Sequence, residues 1–200
     1  PGKTNYVYEP VHAVLCMEYL FNHGRSLVRD NRQEAKDVGE PSQFKTFDEF
    51  YDAFMDYVIS SADDVVTTNV KYRSLRSSIS PSCLLSTIMD DCIARGKDIF
   101  TGGSHYTFYG LYITGFSHCV DSLAAIKKLV YEEKRVSMEE LTEAIRTDYA
   151  GKEPLRQMMI NDAPKYGNDD KYVDDIAKRF MADFAAWAKK RNTYDDIKNS

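Results

Sequence analysis

Residues that could do chemistry are spread thinly along this sequence, and few stand at the spacings that a reaction requires. Gly2, Lys3 and Thr4 read like the end of a phosphate-binding loop, but no glycine-rich run or strand precedes them. Asp63 and Asp64 are adjacent carboxylates, yet their helical context predicts exposure, whereas acid–base work requires carboxylates in contrasting environments. Neither pattern predicts a catalytic site.

The cysteines do not form a metal or disulfide pattern. No two of them stand as Cys-x-x-Cys, and none has a histidine at ligand spacing. Three lie on apolar faces of helical patterns, which favours buried, reduced thiols in a cytoplasmic protein. The four are Cys16, Cys83, Cys92 and Cys119.

One stretch, Gly102–Gly115, stands out from an otherwise helical sequence. Paired glycines open it, a single glycine closes it, and aromatic residues alternate with small polar ones at the period of a strand. Its interior glycine indicates close approach of another backbone or a ligand. We predict a strand within 99–115 and, because a lone strand cannot satisfy its own backbone, a pairing strand from outside this sequence.

The rest of the chain reads mainly as helix. Thr46 with Glu49 and Ser137 with Glu140 are capping boxes that start two helices. Residues 80–96 have helical periodicity and end at Gly96, with an apolar face formed by Leu84, Leu85, Ile88, Met89, Cys92 and Ile93. The predicted order is a loop over 1–8, a helix from Glu9 and Pro10 to Gly24, a surface connection over 25–45, helices over 46–98, the strand, helices over 116–190, and a polar end over 191–200.

Charge and hydropathy exclude two classes of partner. The net charge is −5, whereas binding to nucleic-acid phosphates requires a surface rich in basic residues. We therefore expect no nucleic-acid partner. No apolar run approaches the roughly 18 residues of a membrane span, so we expect no membrane partner.

Three separated motifs make the chain resemble the glycyl radical enzymes, specifically the branch of choline lyase, glycerol dehydratase and hydroxyproline dehydratase. The resemblance covers essentially the whole chain in order. The matching runs are 90–98, 101–133 and 163–174.

The resemblance implies an α/β fold in which this chain is a mainly helical segment, with one or two strands, of a ten-stranded barrel. It implies a thiyl radical on a cysteine loop and a radical glycine on a second loop, installed by a radical-SAM activating enzyme under anaerobic conditions. No cysteine here stands in the family's Gly-Cys-x-Glu context, and no radical-glycine motif is present. The segment is therefore expected between the two loops, inactive alone and without a bound cofactor, within a parent that is a homodimer.

The resemblance also implies which residues contact a small-molecule substrate. Tyr8 and Glu9 stand where the family's dehydratases show His-Asp, so Glu9 replaces the aspartate that engages a substrate hydroxyl or amine, with Tyr8 and His12 beside it. Ser104 and Tyr106 would line the barrel near the substrate. No catalytic or metal-binding residue is predicted in this chain.

Three functions remain open on the sequence. The first is a glycyl radical lyase or dehydratase that cleaves a C–O or C–N bond of a small polar substrate. The second is an arylacetate decarboxylase or fumarate-adding enzyme, which the 14 tyrosines make plausible. The third is a folded fragment without radical chemistry.

Overall fold

The computed structural model of the protein describes residues 2–191, without the side chains of residues 73, 74, 77 and 109. The described chain is mainly helical with two longer strands, which confirms the predicted fold class. No helix within that range is both long and apolar enough to cross a bilayer. Apart from Arg191, the predicted polar end lies outside the described residues.

The elements follow one another with short connections. In chain order they are β1 (Thr4–His12), α1 (Ala13–Phe21), β2 (Arg25–Ser26), β3 (Arg32–Gln33), α2 (Phe47–Ile79), α3 (Cys83–Thr87), α4 (Cys92–Arg95), β4 (Tyr106–Thr114), α5 (Phe116–Ala125), α6 (Met138–Arg146), α7 (Glu153–Asn161) and α8 (Lys171–Lys190). Single 3₁₀ turns cover Pro41–Gln43 and Ile99–Thr101, and a π-helical segment covers Ile126–Glu132.

The chain divides into two compact units. The sheet unit comprises 2–11, 62–113 and Arg191, and the helical unit comprises 12–61 and 114–190. Helix α2 contributes residues to both.

A strand replaces the loop that was predicted at the start of the chain. Residues 4–12 form β1, and the first helix begins at Ala13 rather than at Pro10. Asn5 and Val11 are buried on one face of β1, while Tyr6 and Tyr8 are exposed on the other, which is the alternation of a half-buried strand. Pro10 is a first-turn residue of many helices, but here it lies within the strand.

The predicted lone strand has a partner within the chain. β1 and β4 form a two-stranded sheet, so the expectation that only an outside segment could pair with β4 was wrong. The Tyr106 amide donates to the Lys3 carbonyl at 2.9 Å, and further along Gly110 lies against Tyr8. Lys3 lies beside Tyr106 and Tyr8 lies beside Gly110, so both strands run in the same direction and the pair is parallel. The strand itself is shorter than predicted, because a 3₁₀ turn occupies Ile99–Thr101.

The predicted single helix over 80–96 is broken into α3 and α4. Asp91 adopts a left-handed backbone conformation with φ of 72°, which no continuous helix allows. The Asp98 carboxylate accepts hydrogen bonds from the Ser82 amide at 2.6 Å and the Ser86 hydroxyl at 3.2 Å, so it holds α3 in place from outside. Gly96 ends α4 at φ of 60°, as predicted.

The predicted apolar face of that helix is largely solvent-exposed in the described structure. The exceptions are Cys92, which is buried, and Met89, which is partly buried. Helical periodicity therefore predicted the wrong core here, because the helix that would have aligned those side chains does not form. The exposed residues are Leu84, Leu85, Ile88 and Ile93.

The helical unit contains a conventional packed core. The capping box at the start of α2 is confirmed, since the Glu49 amide donates to the Thr46 hydroxyl at 3.2 Å and the Glu49 carboxylate accepts from the Lys45 amide at 2.7 Å. α5 packs against α1 and α8. Fully buried side chains fill the space between the helices: Leu20, Phe50, Phe54, Val58, Val120, Leu123, Leu129, Leu141, Val173 and Phe180.

The second capping box is also confirmed, because the Glu140 amide donates to the Ser137 hydroxyl at 3.1 Å. Helix α6 ends at Arg146, five residues before Gly151. Asp148 and Tyr149 take positive φ values of 50° and 55°, so the turn between α6 and α7 begins before the glycine.

Candidate functional site

The two-stranded sheet of β1 and β4 presents one face covered by aromatic rings. Because alternate residues of a strand point to opposite faces, the even-numbered residues of β1 and β4 share one side. Tyr112 (47% exposed) lies on this side, and four further ring side chains are 50–60% exposed: Tyr6 (57%), Tyr8 (60%), Tyr106 (52%) and Phe108 (50%). We call these four the aromatic face.

The rings of the aromatic face stack on one another. The Tyr6 ring lies 5.2 Å from that of Phe108 and 5.9 Å from that of Tyr8, with interplanar angles of 16° and 2°. Tyr106 stacks on Phe108 at 6.3 Å. Near-parallel rings at these separations attract each other by about 0.5–1.5 kcal/mol per pair beyond their buried area. The face is therefore a preformed apolar surface with phenol hydroxyls, of the kind that marks an interaction site.

Gly110 allows Tyr8 to take its place on this face. A Cβ added to Gly110 would lie 2.8 Å from Cδ1 and 2.9 Å from Cε1 of the Tyr8 ring, which is closer than non-bonded carbons approach. The close approach predicted from this interior glycine is confirmed, and the group that approaches is a side chain of the neighbouring strand.

Ser104 lies just before β4 and is buried, with 2% of its surface exposed. Its hydroxyl donates to the Tyr106 carbonyl at 3.1 Å and lies 3.0 Å from the Thr107 hydroxyl. Neighbouring Gly103 leaves no room for a side chain, since an added Cβ would lie 2.2 Å from the Lys97 carbonyl oxygen. Ser104 therefore holds the start of the strand and positions Tyr106.

A charged cluster next to Tyr106 was not predicted. His105 Nδ1 donates to the Asp91 carboxylate at 2.8 Å, and Arg95 donates to the same carboxylate oxygen at 3.0 Å. The hydrogen bond from His105, followed by the charge of Arg95, lowers the pKa of Asp91. The His105 ring meets that of Tyr106 edge-on at 4.4 Å. Asp91 lies in the motif run 90–98, but its left-handed backbone has no sequence signal.

Glu9 lies on the opposite side of the sheet from the aromatic face. Glu9 follows Tyr8 directly in β1, so its partly buried side chain points to the opposite side of the sheet. His12 is exposed, and its Nδ1 lies 2.9 Å from the Thr114 hydroxyl. Of the five residues predicted to contact substrate, Tyr8 and Tyr106 lie at the two ends of one stacked face, Ser104 bonds to Tyr106, and Glu9 points to the other side of the sheet.

Cys16 and Cys119 are buried thiols, whereas Cys83 is exposed. Cys16 is followed by Met17 and Glu18, which is Cys-x-Glu spacing, but it lies inside α1 with 1% of its surface exposed. Burial raises the pKa values of Cys16 and Cys119 to about 12. Within residues 2–191, no three His, Cys, Asp or Glu side chains are grouped to hold a metal ion. The arrangement offers stacking and hydrogen bonding, not a nucleophile.

Comparison with known proteins identifies the family. The pyruvate formate lyase-like family model matches residues 1–199. The chain is 33% identical over 183 residues to trans-4-hydroxy-L-proline dehydratase of Clostridioides difficile, and this match covers 90% of the chain and 23% of the relative.

Two solved structures resemble the fold. Hydroxyproline dehydratase from Clostridioides difficile, with trans-4-hydroxy-L-proline bound, matches with a TM-score of 0.84 and 30% identity, over 93% of this chain and 24% of that one. The glycerol-bound B12-independent glycerol dehydratase from Clostridium butyricum matches with a TM-score of 0.77 and 27% identity, over 96% and 24%. The chain spans about a quarter of the length of these relatives, and it belongs to the pyruvate formate lyase-like family of glycyl radical enzymes.

Proposed function

We propose that this chain is part of a glycyl radical lyase or dehydratase that cleaves a C–O or C–N bond of a small polar substrate. The observation that carries the proposal is the match, along nearly the whole chain, to a dehydratase whose structure contains its hydroxylated substrate. In such a protein the radical glycine and cysteine would supply hydrogen-atom abstraction. None of the cysteines described above fits that role, so this chain is proposed to be inactive alone and to lie between the two radical loops.

The role proposed for this chain is to form part of the wall around the substrate. Tyr8 and Tyr106 would contact it through ring faces and hydroxyls, and Ser104 would position Tyr106 through the 3.1 Å hydrogen bond. If the opposite face of the sheet lines the site instead, Glu9 would accept a hydrogen bond from a substrate hydroxyl or amine, as its position in the family motif suggests, with His12 beside that contact. Excluding water from such a site strengthens each polar contact.

Tyr8 and Glu9 point to opposite faces of one sheet, so direct contact with the same substrate is expected from one of them. Tyr8→Leu and Glu9→Gln in the longer protein form a matched pair that tests which face lines the site. We expect Tyr8→Leu to raise KM and lower kcat/KM at least about tenfold, a loss of about 1.4 kcal/mol of transition-state binding. If Glu9→Gln has the larger effect, the opposite face lines the substrate site.

The function itself is tested on the longer protein, anaerobically, with its radical-SAM activating enzyme. We expect a glycyl radical doublet in the EPR spectrum and loss of water or an amine from small hydroxylated or aminated substrates. A protein that forms no radical would contradict radical chemistry altogether. Gel filtration of the same preparation tests the proposed homodimer.

A second candidate is glycyl radical decarboxylation of an arylacetate or addition to fumarate. The stacked rings of the aromatic face favour it, because aromatic surfaces stack well on an aromatic substrate. Turnover of an arylacetate, with no turnover of diols or hydroxylated amino acids, would support this candidate against the dehydratase. The third function, a folded module without radical chemistry, would be supported if neither substrate class reacted.

A further inference from the structure

The helical unit contains an apolar groove that the proposed function does not use. Helices α1, α5, α6 and α7 surround a cavity of about 570 Å³. Three large apolar side chains at the groove remain substantially exposed: Val14 (47%), Leu27 (53%) and Ile160 (42%). Scattered apolar residues on a surface are ordinary, but apolar residues gathered around one concavity mark an interaction site.

The charges around the groove are unevenly satisfied. The acidic groups are already engaged by backbone amides, since Glu18 accepts from Leu27 at 2.6 Å and Asp121 accepts from Tyr166 at 2.8 Å. The basic groups are not: within the described part of the chain, no ion pair involves the side chains of His118 or Lys165. The charge left for an occupant to match is therefore positive.

A third basic group at the groove is only weakly engaged. Arg156 contacts Glu153, three residues earlier on α7, at 3.3 Å, with both side chains about half exposed. Exposed pairs of this kind are worth less than about 1 kcal/mol, so Arg156 can turn to another carboxylate at little cost. The groove thus combines apolar walls with two cationic side chains, Lys165 and Arg156, and the imidazole of His118.

We propose that this groove receives an amphipathic helix that carries at least one acidic side chain, contributed by the part of the longer protein outside this chain. The inference rests on the proposed function, in which this chain is one segment of a larger enzyme. Most of such a protein lies outside this chain, because the relatives are about four times as long. A helix is the expected occupant because helical walls offer grooves that accept the ridges of another helix, with apolar anchors at i, i+3, i+4 and i+7.

The test measures whether the groove is covered in the longer protein. Ile160→Cys introduces a thiol at the groove, and Lys178→Cys introduces one on the exposed side of α8, where Lys178 is 74% exposed. Labelling of each position is followed by mass spectrometry of the modified peptide, so that native cysteines do not interfere. We expect labelling at position 160 to be at least about tenfold slower than at 178, as for a site that opens only transiently. Equal rates at the two positions would overturn the proposal.

Two substitutions at Lys165 test whether an acidic side chain of the bound helix contacts this residue. Because the two variants are compared with each other, the test does not depend on the folding of one variant alone. In the Ile160→Cys background, Lys165→Glu should speed labelling at position 160 about tenfold, whereas Lys165→Arg should leave it unchanged. No effect of Lys165→Glu would overturn the acidic contact. A small amphipathic anion is the competing occupant, because the cavity volume is also within the range of ligand sites. Loss of protection after exhaustive dialysis of the folded protein would identify that occupant and overturn the helix.

The radical and substrate assays are run on the same preparation. An active radical enzyme with an open groove would overturn this inference and leave the proposed function standing. A protected groove in a protein without radical chemistry would overturn the proposed function. It would still support the proposal that a helix of the longer protein occupies the groove.

Discussion

The two units bury their apolar residues very differently. In the helical unit, large side chains such as Phe50, Phe54 and Phe180 are completely buried. In the sheet unit, Val11 is the one large side chain of the described residues with less than 2% exposure, while the aromatic face and Leu84, Ile88 and Ile93 are 50–83% exposed. The helical unit thus holds a core of its own, and the sheet unit holds apolar surface without cover from the described residues.

The difference in burial implies that the helical unit contributes mainly to the stability of the fold and the sheet unit mainly to binding. Burying apolar area stabilises a fold by about 25 cal/mol per Å², so the helical unit supplies most of the stability. The apolar residues that remain exposed in the sheet unit can still be buried by a substrate or by other polypeptide, and that burial would favour binding. Substitutions should therefore lower the stability of the helical unit and the binding capacity of the sheet unit.

The largest expected effect is the loss of a core ring in the helical unit. Phe180→Ala removes a fully buried side chain that contacts Phe54 at 5.5 Å and Phe116 at 5.3 Å between ring centroids. We expect a loss of about 3–5 kcal/mol in the free energy of unfolding. The matched substitution in the sheet unit, Phe108→Ala, should cost about 0.5–1.5 kcal/mol, the value of its stacking contacts. Urea denaturation measures both, and equal losses would break the comparison.

A smaller effect is expected for one polar contact within the same core. The Tyr51 hydroxyl donates to the Asp183 carboxylate at 2.8 Å, and the Arg179 guanidinium lies 3.8 Å from the Tyr51 ring centre. Burial, followed by the hydrogen bond to Asp183, raises the pKa of Tyr51. Tyr51→Phe keeps the ring and should cost about 1.5–3 kcal/mol, because the acceptor is charged. An unchanged free energy of unfolding would indicate that water replaces the Tyr51 hydroxyl, and thus that solvent reaches this side of the core.

The smallest effect concerns the surface of the helical unit at acidic pH. His23 lies 3.1 Å from an Asp37 oxygen and 3.0 Å from a Glu40 oxygen, and Arg146 also contacts Glu40. The backbone amide of Gly39, then His23, lowers the pKa of Asp37, and the hydrogen bond from Arg146 lowers that of Glu40. Depressed carboxyl pKa values stabilise the fold above the ordinary values of 3.8 and 4.5, and this stabilisation is lost as the pH falls below them.

Glu40→Gln should therefore lower Tm at pH 7 slightly and flatten the decline of Tm below about pH 4.5. Thermal unfolding of the two proteins between pH 3 and pH 7 measures this difference. Parallel curves would show that the contacts among His23, Glu40 and Arg146 do not contribute to the stability of the helical unit.

Local signals in the sequence predicted local structure well. Both capping boxes start helices where they were predicted, because the hydrogen bonds that they form join residues three or four positions apart. Gly96 ends its helix for the same reason, since a left-handed terminal residue favours glycine. The family motifs also predicted the fold class, through resemblance rather than through physics.

Distant contacts account for most of the errors. β1 was missed because its partner strand lies about a hundred residues away and because Pro10 resembles a helix start. The break at Asp91 coincides with a hydrogen bond from His105, 14 residues later, that no local pattern encodes. For the candidate site, the sequence indicated Tyr8, Ser104 and Tyr106, but the opposite orientation of Glu9 follows only once 4–12 is known to be a strand.

The parallel pairing of β1 and β4 has a consequence for the order of events during synthesis. His12 and Thr114, at the ends of the two strands, are separated by 102 residues. At translation rates of about 5–20 residues per second, β1 leaves the ribosome about 5–20 s before its partner has been made. Throughout that interval its unpaired edge and its tyrosines are accessible to other nascent chains and to chaperones, which exposes β1 to misassembly.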